Sequence, residues 1–295
     1  MEINLAILIL AIISAIVPVV FWFFILRRKG KEKMISYFFL TFFLSGMGAV
    51  FIFYFEIPFQ NFLKAKGLSL FAVFIILGTF IEYFKNIIVR ISGFRYFKNI
   101  DDVMDLSFAS ALGFTFFENI FHFYMVFSGQ DPEVIGPVKM VKYFLTREFF
   151  ILPIHLFCSG IFGYFYAMGI FASRELQINN YKNFIFRLMH LFLRFFFIPK
   201  KRIFKVIKIM QGTIVSVFFY ALFFTLLEYD PKFSDIARST SMDFFFDQNC
   251  NPRVDERLMP IISFAFFKVG TVILFNLMDR KRRFDSRNML KTQKA

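Results

Sequence analysis

The chain has 295 residues, 58% hydrophobic and only 19% charged, with 52 phenylalanines and a formal net charge of +14. Soluble domains run at about 45–50% apolar and about 25% charged, so this balance excludes an ordinary soluble fold and a disordered chain. Two cysteines, Cys158 and Cys250, exclude a disulfide framework.

Apolar runs of about twenty residues recur along the sequence, each long enough to cross about 30 Å of hydrocarbon as a helix. They predict an all-α fold: a polytopic membrane helix bundle forming a single integral membrane domain over 1–295. The first span is expected at Asn4–Leu26 and is followed by RRKGKEK in place of a small-residue cleavage site, which reads as an uncleaved anchor. Spans at Ile35–Ile57, Leu68–Val89, Val103–Phe127 and Phe144–Ala172 follow. In the run NFIFRLMHLFLRFFFIPKKR, Arg187, Arg194 and Lys200 interrupt the apolar pattern, which predicts an interfacial helix. The rival reading there is an eighth span. A sixth span at Ile207–Glu228, a connector with Pro231 and Pro252 that reads equally as a lid or as an idle link, and a span at Pro260–Met278 give seven, before a basic tail over 279–295.

Seven spans put the ends of the chain on opposite sides. With the N-terminus outside, 24 of the 35 Lys and Arg fall on the cytoplasmic segments and eight on the outer ones. That asymmetry follows the positive-inside rule. It accounts for the high net charge without nucleic acid and predicts a multi-pass protein of the cell membrane with its N-terminus outside and its C-terminus in the cytoplasm.

Ionisable residues inside a membrane are costly and tend to face the bundle interior at functional sites. FIEYFKNIIVR places Glu82 and Lys85 at i, i+3, close enough to pair. ALGFTFFENIFHFY places Glu118, Asn119 and His122 together, with Glu118 and His122 at i, i+4. REFFILPIHLFCSGIFGY stacks Arg147, His155 and Ser159 at spacings of eight and four. Each has a plainer reading: a structural ion pair for Glu82 and Lys85, interhelical glue for Asn119, a hydrogen-bonded core histidine for His155, an interfacial place for His122. Cys158 reads as packing, and Asp101, Asp102 and Asp105 as carboxylates that complement a helix N-terminus.

Three of these segments together resemble the PrsW family of intramembrane proteases, which sits with the type II CAAX prenyl proteases and their bacterial relatives. The likeness rests on IEYFK at Ile81–Lys85, GFTFFEN at Gly113–Asn119 and HLFCS at His155–Ser159, continued by Gly163 and Tyr164. Ile81 stands where the family carries the first glutamate of a pair. The resemblance implies a protease core at about 68–172, flanked by peripheral helices over 1–57 and 207–278. It implies hydrolysis of a peptide bond in a membrane-anchored regulatory protein of the anti-sigma-factor kind. Glu118 and Glu82 would activate water, with Lys85 orienting Glu82. His155, assisted by Ser159, would serve the oxyanion or leaving amine, with Asn119 and Arg147 in support. A divalent metal such as zinc is a further expectation, with Glu82, Glu118, His122 and His155 as candidate ligands. The alternatives are a catalytically impaired relative acting as scaffold, chaperone or immunity protein, and a transporter that uses the carboxylates as a proton or ion relay.

The topology is testable directly. In a cysteine-free variant, single cysteines placed within 27–33 and 173–183 are expected to resist a membrane-impermeant maleimide in intact cells, and one within 230–259 to react. The reverse pattern overturns the orientation.

Overall fold

The computed structural model of the chain describes residues 4–26, 35–93, 96–129, 144, 147–171, 184–195 and 199–229. The expected seventh span, the connector beyond Tyr229, the basic tail and Cys250 lie outside the described residues. Among the described residues all ordered elements are helices and none is a strand: α1 Leu5–Leu26, α2 Ile35–Ala65, α3 Leu70–Gly93, α4 Ile100–Phe127, α5 Leu152–Phe171, α6 Phe184–Phe195 and α7 Lys200–Tyr229. A short π-helical turn, Arg147–Ile151, leads into α5. All of them belong to one compact unit.

Five helices, α1, α2, α3, α5 and α7, are long and apolar enough to cross a membrane. This is a multi-pass helical membrane bundle. Large apolar side chains such as Phe21, Phe24, Phe43, Phe51 and Phe80 point away from the protein, as a lipid-facing surface requires. The 28-residue α4 is less apolar, because Glu118, Asn119 and His122 interrupt its run. At 1.5 Å per residue it is still about 42 Å long. It contacts α1, α2, α3 and α5, and from Asp102 to Thr115 every position except Asp105 is buried. A helix wrapped by other helices can carry polar groups that a lipid-facing helix cannot.

The start of α4 is set locally. Asn99 caps it in extended conformation: its side chain accepts from the Asp102 N–H at 2.9 Å, and the Asp102 carboxylate accepts from the N–H groups of Lys98 and Asn99. This capping box satisfies amide groups that the helix itself leaves open. The helix therefore begins three residues before the expected Val103.

Two other boundaries shift for similar reasons. α2 continues to Ala65, past the expected end at Ile57, because backbone hydrogen bonding persists where the hydropathy falls. It stops at Gly67, whose φ of +74° suits glycine, with the Leu68 N–H donating back to the Leu63 carbonyl at 3.4 Å. α7 begins at Lys200, so the basic cluster Lys200–Arg202 forms its first turn. Within the described residues the interfacial segment forms the 12-residue α6, about 18 Å long. Phe186 and Leu193 of α6 pack on Ile203, Phe204 and Ile207 of α7, while Leu188, Leu191, Phe192 and Phe195 face outward.

Between apolar helices, close packing and interhelical hydrogen bonds do much of the holding, the latter at about 0.6 kcal/mol each. Thr41 donates to Ser92 at 2.7 Å between α2 and α3, and Ser45 and Ser110 share a 2.9 Å bond between α2 and α4. Ser216 of α7 donates to the Cys158 carbonyl of α5 at 2.7 Å. At Gly113, a Cβ would collide with the backbone carbonyl of Phe42, so α2 and α4 touch main chain to main chain.

Gly113→Ala must separate these two helices. It is expected to destabilise the bundle by about 1–3 kcal/mol, the usual range for overpacking, read as a lower thermal unfolding midpoint in detergent. An unchanged midpoint overturns this account of the α2–α4 contact.

Candidate active site

α3 buries one stripe, including Leu77, Gly78, Ile81, Glu82, Lys85 and Asn86, at the spacing of a single helical face. That stripe carries a carboxylate and an ammonium into the interior. Glu82 is 0% exposed and Lys85 1%, and Lys85 Nζ donates to Glu82 Oε1 at 2.6 Å. Lys85 Nζ also lies 3.3 Å from His155 Nδ1 on α5 and 5.6 Å from the centre of the Phe114 ring. His155 is 1% exposed, its ring flanked by Phe114 and Tyr220 at centroid distances of 5.5 and 5.8 Å.

An ammonium has donors and no acceptor. With Lys85 directed at Nδ1, that nitrogen is the acceptor, and the ring proton of a neutral His155 sits on Nε2. Nε2 faces Glu118 Oε2 on α4 at 3.5 Å, longer than a good hydrogen bond. Glu118 Oε2 and Glu82 Oε2 are both buried atoms with no hydrogen-bond partner among the described residues.

The other oxygen of Glu118 is held firmly. Arg147 Nη2 donates to Glu118 Oε1 at 2.7 Å, and Arg147 Nε donates to Asn119 Oδ1 at 2.7 Å. The Asn119 amide then donates from Nδ2 to Glu148 Oε1 at 2.8 Å. Two neighbouring residues of the π-turn thus engage two neighbouring residues of α4. The result is a continuous polar chain through the bundle, Glu82–Lys85–His155–Glu118–Arg147–Asn119–Glu148. His122 lies one turn beyond Glu118, its Nε2 3.9 Å from Glu118 Oε1. Glu118 and His122 have side chains 15% and 31% exposed, so the chain is sealed at Lys85 and only partly covered at its Glu118–His122 end, where Glu118 Oε2 itself is buried.

Six of the residues singled out in the sequence, Glu82, Lys85, Glu118, Asn119, Arg147 and His155, fall in this chain. Ser159 is one turn from His155 and buried, but its hydroxyl makes no hydrogen bond among the described residues, so the expected assistance to His155 has no contact behind it. Ile81 is 2% exposed on the inward stripe of α3, one turn before Lys85. Glu148 is a member that the sequence reading does not include. A signal for it exists, since it is an acidic residue next to Arg147 inside an apolar run, the same criterion that selects the others.

A protein zinc site needs three or four protein ligands. Of the four candidates, His155 and His122 approach the two Glu118 oxygens at 3.5 and 3.9 Å while Glu82 is turned to Lys85, and among the described residues no group of three or more His, Cys, Asp or Glu side chains is placed to hold a metal ion. The second ring nitrogen of a metal-bound histidine normally donates to an acceptor. Here it faces an ammonium, the opposite polarity. As arranged, these side chains do not fit a resident divalent ion.

Among protein families, the one described as PrsW family intramembrane metalloprotease matches residues 33–226, a stretch that includes every member of the polar chain. No curated protein and no solved structure matches.

Removing one partner from a buried pair strands the other charge, at about 3–5 kcal/mol. Lys85→Met is therefore expected to lower the thermal midpoint sharply, and adding Glu82→Gln to recover much of the loss. Additive losses in the double variant overturn the pairing.

Proposed function

Because this chain belongs to the PrsW family of intramembrane metalloproteases, we propose that it is an intramembrane endopeptidase that hydrolyses a peptide bond in a membrane-anchored regulatory protein. The observation that carries the proposal is Glu118: one oxygen is anchored by Arg147, and the other is buried, free of hydrogen bonds among the described residues, and faces His155, next to the partly exposed end of the polar chain.

In this reading Glu118 Oε2 accepts a proton from a water molecule as its oxygen adds to the scissile carbonyl carbon. The carbonyl oxygen becomes an oxyanion, and His155 Nε2–H donates to it, the role of a preorganised oxyanion donor. Collapse of the intermediate breaks the C–N bond. The proton held by Glu118 passes to the departing amine, leaving a carboxylic acid and an amine as products. Lys85 holds His155 in the donating tautomer, and Glu82 neutralises Lys85. Glu82 therefore acts behind the reacting atoms. This differs from the expectation that it shares in water activation, because its side chain is fully buried against Lys85. Asn119 and Arg147 keep Glu118 in register. This family is described as metal-dependent, but the sequence of steps uses only side chains.

Substrate recognition follows from the surroundings. A partly exposed glutamate within an apolar bundle suits a peptide segment that is itself membrane-embedded, and a single-span regulatory protein meets that requirement. Ile81 supports a second reading, a catalytically impaired relative that binds membrane helices without cutting them. It puts an isoleucine on the buried face of α3, one turn from Lys85.

The test uses purified protein and a panel of single-span peptides. Glu118→Gln is expected to lower the cleavage rate by about 10²–10⁴-fold, the usual span for a general base. His155→Ala is expected to lower it by about 10²–10³-fold, as for loss of an oxyanion donor. A chelator is expected to leave the wild-type rate unchanged. Wild-type rates in both variants sink the proposal, and peptide binding without any product favours the impaired relative.

A further inference from the structure

Glu148 belongs to the polar chain but touches none of the atoms assigned to the reaction. It is 5% exposed, one of its oxygens accepts from Asn119 Nδ2 at 2.8 Å, and the other has no hydrogen-bond partner among the described residues. A carboxylate in such a place costs free energy unless it is paired, and its nearest cationic neighbour along the chain is Arg147, which is already committed to Glu118 and Asn119.

We propose that Glu148 is a positioning residue for the proteolytic reaction, acting through Asn119 and Arg147 to hold the Glu118 carboxylate with one oxygen anchored and the other facing the reacting water. The inference rests on the reading of Glu118 as the base. The reasoning is about polarity. The two ends of a carboxamide differ, one donating and the other accepting, and both ends of Asn119 are engaged. In its ionised form a carboxyl group accepts only, and as placed Glu148 Oε1 takes the NH2 end of Asn119. The oxygen end is thereby turned to Arg147 Nε. With Nε occupied, Arg147 presents Nη2 to Glu118 Oε1, and Oε2 is left open toward His155.

Replacing the carboxylate by a carboxamide removes that restriction. In Glu148→Gln, either end of the introduced amide can meet Asn119, so Asn119 can rotate and present its NH2 group to Arg147, donor against donor. Arg147 then loses its fixed pose and Glu118 loses its anchor. The fold keeps its packing, because the substitution preserves shape.

The experiment measures kcat and KM for a single-span membrane peptide that wild type cleaves, in Glu148→Gln, Glu148→Asp, Arg147→Gln and the double variant Arg147→Gln/Glu148→Gln. Glu148→Gln is expected to lower kcat by about 10–100-fold, the scale of an ångström-level misplacement of a catalytic group. KM is expected to stay within about twofold, as for an interaction that acts in the transition state. Glu148→Asp, which keeps the charge, should recover part of the rate. The double variant should be no slower than Arg147→Gln alone, because Glu148 works through Arg147. A Glu148→Gln rate equal to wild type overturns the proposal, as does a further full loss in the Arg147→Gln background.

A second readout does not need turnover. In protein labelled with 15N-arginine, the Arg147 Nε–H resonance, assigned by its disappearance in Arg147→Lys, is expected to move in Glu148→Gln. An unmoved resonance overturns the relay. If wild type cleaves no peptide while the resonance moves as expected, the proteolytic reading fails and the positioning relay stands.

Discussion

Lys85 and its two partners set the terms for everything else in this bundle. A charged side chain in hydrocarbon persists only where another group answers it, and the ammonium of Lys85 is answered by Glu82 on its own helix and by His155 across the interface. The same demand recurs at each step. Carboxylate, ammonium, imidazole, carboxylate, guanidinium, carboxamide and carboxylate follow one another, so that no two like charges adjoin. Such a network specifies the packing of three helices and the π-turn more tightly than apolar contact does, since each member has one correct neighbour.

The helices that contribute no member of the polar chain make the network possible. α1 and α2 cover α4 with small and apolar side chains, Ala11 and Ala15 meeting Phe123, Tyr124 and Val126, and α2 meeting α4 backbone at Gly113. α7 closes the other side, with Tyr220 against His155 and Ser216 tied to the backbone of α5. The helix that carries Glu118 and Asn119 is therefore enclosed by its neighbours, and the large apolar side chains of α1 and α2 take the lipid.

Much of this is legible in the sequence. The helical class, the central helices and six members of the polar chain follow from apolar run lengths and from the rule that intramembrane charges face inward. Element ends are less legible, since hydropathy reports lipid preference whereas helix ends are decided by caps such as Asn99 and Gly67. Glu148 meets the same criterion, an acidic residue inside an apolar run, but it lies off the stripe of Arg147, His155 and Ser159 by which that segment is read. The tautomer of His155 is out of reach as well, because it depends on which nitrogen meets Lys85, a matter of orientation that spacing does not encode.

The π-turn between Arg147 and Ile151 makes the segment a counting device. It holds about one more residue per turn than regular helix would, and so sets the angular phase between the Arg147–Glu148 pair and His155 further along. A deletion of one residue here would let the turn relax into ordinary helix while leaving its composition almost untouched. Because the π-turn takes up that extra residue within a single revolution, the downstream face would keep its phase with Arg147. An insertion or deletion further along the segment, which no π-turn takes up, would instead swing His155 by about 100° away from Arg147, and the two could no longer both address Glu118.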